Sequence, residues 1–81
     1  MQKTTIRNDK KLHKLKYWRE KVGLKQDDLA LLIGCKGSNY CQKERGNSEI
    51  RLSELLKIQK AINQRLEKMG EQPVSIDELV R

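Results

Sequence analysis

The sequence predicts an all-α fold, a compact bundle of about five helices. Three observations lead there. The 81 residues allow one domain with one small core. Apolar residues recur at helical spacing along the chain, and no stretch alternates apolar and polar residues as a half-buried strand would. Gly23, Gly34, Gly46 and Gly70 each stand just past a periodic segment, where a residue that accepts the left-handed conformation ends a helix.

Residues 1–8 are polar and basic and are expected to form a flexible arm. Asp9 is a candidate N-cap for the first helix, in which Leu12, Leu15, Trp18 and Val22 fall on one face at about 100° per residue. Arg19 falls inside that apolar stripe. A lone buried charge is expensive, so Arg19 demands a carboxylate partner. A second helix is expected from Gln26 to Ile33, with Leu29, Ala30 and Ile33 inward and Asp27 and Asp28 at the positive end of its dipole.

The third helix begins near Lys36 or Gly37 and runs to Arg45. Its Tyr40 and Glu44 share one face at i, i+4 spacing, and Glu44 is the natural partner for Arg19. Ser38, Cys41, Gln42 and Arg45 make the opposite face. Small polar groups with an arginine suit a reading edge better than a core stripe.

A longer helix follows from Leu52 to Met69, with Leu52, Leu55, Ile58, Ile62, Leu66 and Met69 along one side, closed by Gly70 and Pro73. Ser75 and Glu78 then have capping-box spacing, and Val74 and Leu79 the spacing of a hydrophobic staple. Residues 9–70 are thus read as the main domain and residues 71–81 as a capped helical stub. The stub is either very short or the start of something cut off at Arg81.

Composition narrows the function classes. A net charge of +7 with pI near 9.7 points to a polyanionic partner, nucleic acid first and an anionic membrane surface second. Small size, the absence of Phe and the lack of a nucleophile–base or carboxylate pair argue against an enzyme. No apolar run is long enough to span a membrane and the start lacks a signal peptide's apolar core, so a cytoplasmic protein with reduced thiols is expected. Cys35 and Cys41 are six apart and His13 is on another helix, which does not fit a metal site. No metal and no cofactor are expected. Cys35 reads as a small core residue, and Cys41 as a bystander thiol on the partner surface.

Two helices joined by a tight glycine turn, about residues 26–45, form a helix-turn-helix unit. Ala30 is small where the helices cross, Gly34 makes the turn, and Cys35 and Tyr40 plug the space beneath. The combination of Arg19, Gly23-Leu24, Gln26, Leu29-Ala30, Gly34, Tyr40 and Glu44-Arg45-Gly46, followed by "LSELLKIQKAI", resembles the phage-repressor and Cro-like family, also called Xre-like. The likeness covers about Leu12 to Asn63 and implies a lambda-repressor-like fold.

The resemblance implies a transcriptional regulator, most readily a repressor, that binds an operator in double-stranded DNA. By the same resemblance Gly37, Ser38, Cys41 and Gln42 would touch bases, and Lys25, Gln26, Lys36, Asn39 and Arg45 would touch or flank the backbone. Arg19 and Glu44 would be the family's structural ion pair.

The chain departs from the family in several places. Lys25 and Lys36 replace the usual Ser or Thr caps, Lys43 replaces an apolar core residue, and Leu31 and Leu32 stand where polar residues are usual. Gly37 offers no side chain at a position that often reads a base. Relatives commonly bind as two-fold dimers, and Leu66, Met69, Val74 and Leu79, read as lying beyond the three-helix core and needing a cover, are the expected homodimer surface. The alternative is an antitoxin-type protein of the same fold that binds a toxin and regulates its own operon.

Overall fold

The structure, a computed structural model, describes residues 13–80. The basic arm, the candidate cap Asp9, and Leu12 lie outside the described residues. Within them the chain forms α1 (His13–Lys21), α2 (Gln26–Ile33), α3 (Gly37–Arg45), α4 (Leu52–Lys68) and α5 (Ile76–Val80). The all-α bundle of five helices is the architecture predicted from periodicity.

α1 turns Leu15 and Arg19 inward, with Val22 buried just past its end, and keeps Trp18 half-buried at the edge. Tyr17 is exposed and meets Trp18 edge to face at 5.0 Å, with the Lys21 ammonium 5.2 Å from the Trp18 ring. α2 buries Leu29 and Ala30, and α4 buries Leu55, Ile58, Ile62 and Leu66, one residue per helical turn. Four core residues, Val22, Leu24, Ile50 and Val74, come from connections rather than helices.

Two expectations for the C-terminal half need correction. Leu52 and Met69 stand at the two ends of the α4 stripe and are exposed, because the stripe runs past the helices that cover its middle. Leu66, Val74 and Leu79 are only 0, 4 and 0% exposed, so they are core residues of the single chain and not an uncovered surface. Of the four residues expected to form a dimer surface, only Met69 is bare, at 47%.

The reason is that α5 folds back onto α1 and α4. The capping box forms, with the Ser75 amide donating to Glu78 Oε1 at 2.9 Å and the Glu78 amide to Ser75 Oγ at 3.2 Å. The turn before it is tied to α4. Asn63 Nδ2 and Gln59 Nε2 donate to the Val74 carbonyl at 3.1 and 3.0 Å, and the Val74 amide donates to Asn63 Oδ1 at 2.8 Å. The stub is therefore the last wall of the core.

Candidate nucleic-acid interface

The α2–α3 turn sets the geometry of everything around it. Gly34 adopts a left-handed φ of +80°, which places the Cys35 amide 2.9 Å from the Ala30 carbonyl and satisfies the end of α2. Three residues then separate the helices, and α2 and α3 pack directly on each other over Ala30. Cys35 is half-buried against the core beneath this turn.

α3 is anchored by one carboxylate. Arg19 and Glu44 are 6 and 4% exposed, and Arg19 Nε donates to Glu44 Oε2 at 2.7 Å while Nη2 donates to Oε1 at 3.1 Å. Arg19 Nη1 also donates to the Leu24 carbonyl at 3.0 Å. Burial opposes the arginine's charge, but the hydrogen bond and the charge of Glu44 outweigh it and hold the guanidinium above its ordinary pKa. Tyr40 Oη donates to Glu44 Oε2 at 3.0 Å, and burial beside that carboxylate pushes the phenol well above its usual range. Gln26 Nε2 donates to Glu44 Oε1 at 3.0 Å, which ties the first residue of α2 to the same group. The sequence pairs Arg19 with Glu44; it gives no sign of the Gln26 bond.

With Tyr40 and Glu44 inward, the other side of α3 faces out. Ser38, Asn39, Gln42 and Arg45 are exposed and Cys41 and Gly37 half-buried, so the residues expected to touch bases share one side of one helix. Lys25 and Lys36 are exposed at the N-termini of α2 and α3. Neither these lysines nor Arg45 is paired with a carboxylate among the described residues. Lys43 instead lays its stem against the protein and donates to the Glu49 carbonyl at 2.8 Å, with Glu54 3.5 Å away.

Two further residues shape this side. A Cβ at Gly37 would run into the Asp27 carboxylate, so the side-chain-free position on α3 is filled from α2. Asn47, just past the helix, donates from Nδ2 to Gln42 Oε1 at 2.8 Å. The sequence singles out Gly37 and Asp27 but gives no sign that they meet, and of Asn47 it shows only the placement after Gly46. Both cysteines are free, and no metal-binding cluster exists among the described residues. No helix among them is long and apolar enough to cross a membrane.

Neither a curated protein nor a solved structure matches the chain. The model of a family described as helix-turn-helix, HTH_3, matches residues 15–69. That span runs from the first buried leucine of α1 to the end of α4 and contains the anchored pair, the glycine turn and the exposed side of α3. The chain belongs to this helix-turn-helix family of DNA-binding regulators.

Proposed function

We propose that the protein is a sequence-specific transcriptional repressor that lays α3 in the major groove of an operator. The observation that carries this reading is the division of α3. Tyr40 and Glu44 are committed to the core, while Ser38, Gln42 and Arg45 share a bare side flanked by Lys25 and Lys36, which have no carboxylate partner among the described residues. The side chains nearest the groove carry the hydrogen-bonding groups that read base edges, and the cations on the rim suit phosphates. In this reading Gly37, Ser38, Cys41 and Gln42 meet the bases. Lys25, Gln26, Lys36, Asn39 and Arg45 meet the backbone, and Gln26 does so while braced by Glu44.

One such helix covers few base pairs, so two copies on a palindrome, half-sites about 34 Å apart, supply the remaining specificity. Because Leu66, Val74 and Leu79 are used inside the protomer, the pairing of copies is assigned to the operator and not to those side chains. The cytoplasm is the compartment this role requires.

Selection of bound duplexes from a random pool tests the reading. Enrichment of a palindromic site that changes with Ser38→Ala or Gln42→Ala supports it; recovery of no preferred sequence overturns it. A second reading, an antitoxin-type regulator, draws support from α2, where Leu31 is 83% and Leu32 41% exposed. In that reading a toxin covers these leucines. A small protein that co-purifies with the wild type and is lost on Leu31→Glu would support it.

A further inference from the structure

We propose that Asn47 is a positioning residue that turns Gln42 into a reader selective for adenine. The inference rests on the DNA-reading role of α3 and names a base that the role leaves open.

Asn47 is bound to Gln42 twice. Its backbone amide donates to the Gln42 carbonyl at 2.9 Å across the left-handed Gly46, and its side-chain Nδ2 donates to Gln42 Oε1 at 2.8 Å. The first bond fixes where residue 47 stands; the second fixes which way the Gln42 amide turns. Although both side chains are exposed, Asn47 swings on only two torsions from an anchored backbone, so its grip is short and directed.

The chemistry follows from the lone pairs. A glutamine amide has an acceptor oxygen with two lone pairs and a nitrogen with two protons. Asn47 occupies one lone pair and leaves the other, together with both Nε2 protons, for the groove. Adenine presents an acceptor at N7 beside a donor at N6, the complement of an amide's oxygen and nitrogen. Guanine presents two acceptors, N7 and O6, and puts O6 against the amide oxygen. An untethered glutamine escapes that repulsion by rotating and offering only its NH₂ group. With Asn47 in place, the rotation either breaks the 2.8 Å bond or forces the Asn47 amide to turn with it.

The same tether lowers the ordering cost of binding, since immobilising one flexible side chain at an interface weakens association by roughly two- to tenfold.

The test is duplex selection from a random pool with the wild type, Asn47→Ala, Gln42→Ala and the double variant. The wild type is expected to enrich adenine at one base pair of each half-site. Asn47→Ala retains the site, but its adenine-to-guanine ratio at that pair falls by roughly two- to tenfold, with neighbouring positions unchanged. Gln42→Ala abolishes the preference there, and the double variant matches Gln42→Ala. Asn47→Asp, which accepts where asparagine donates, lowers the same ratio and guards against an effect peculiar to alanine.

An unchanged ratio in both Asn47 variants overturns the proposal. So does an Asn47→Ala effect that persists without Gln42, which would mean Asn47 touches the duplex itself. A wild type that selects a site without adenine opposite Gln42 sinks this inference alone. A wild type that selects no site sinks it together with the DNA-reading role.

Discussion

Glu44 accepts four hydrogen bonds, two from Arg19 and one each from Tyr40 and Gln26. So complete a set of donors is what permits two nearly buried charges in a core this small. Arg19→Met strands the carboxylate and is expected to destabilise the fold by about 3–5 kcal/mol in denaturant titration. A loss no larger than that of a surface change would contradict the account. Tyr40 adds a pH dependence. Its phenol is held protonated in the folded state, so its contribution is complete below the unfolded value of about 10 and is lost as pH rises beyond it. Alkaline unfolding should therefore begin above about pH 10, and Tyr40→Phe should flatten that limb while removing a bond to a charged group worth about 1.5–3 kcal/mol. The ion pair was legible in the sequence because two inward positions on different helices carried opposite charge. The Gln26 bond was not, since nothing in local spacing relates residues 18 apart on separate helices.

α2 and α3 both start without a side-chain cap. Lys25 and Lys36 have the extended backbone of N-cap residues but no acceptor to offer, and only the Lys25 amide finds a partner, Asp28 Oδ2 at 2.9 Å. Lys25→Ser and Lys36→Ser should each raise stability by about 1 kcal/mol. If both lysines touch phosphate, each change should also weaken binding to every duplex and lower the salt slope by about 0.9. Stability gained with unchanged DNA affinity would remove these lysines from the interface. α5 shows where sequence reading stops. The capping box and the staple spacing located its start; the box formed, and both staple residues are buried in the core. Its destination depended on Asn63 and Gln59 holding the Val74 backbone, polar positions on α4 that periodicity treats as solvent-facing. The apolar residues of the stub were thus assigned to a second copy when they close the first. Leu79→Ala should accordingly destabilise the isolated protein by about 2–5 kcal/mol; a loss below 1 kcal/mol would mean α5 is a detachable appendage.

Across the whole molecule, the proposed function has the net charge of +7 draw the protein to any duplex and the bare side of α3 supply discrimination among duplexes. In the proposed function these two tasks are separable, because the lysines and arginine of the rim are assigned to phosphates and Ser38 and Gln42 to bases. The family pattern singled out one side of α3 from the sequence, and Ser38 and Gln42 on that side are exposed. What it could not show is how Asp27 fills the space at Gly37 or how Asn47 holds Gln42, since both are contacts between a helix and a neighbouring element. The separation is tested most directly by titrating a selected operator and an unrelated duplex of equal length, at one salt concentration, with the wild type and with Ser38→Ala/Gln42→Ala. The wild type should prefer the operator by about 10³ or more. The double variant should lose about tenfold or more of that ratio while binding the unrelated duplex unchanged. An operator preference left intact by the double variant, or a wild type that binds both duplexes equally, would contradict the assignment of sequence reading to α3.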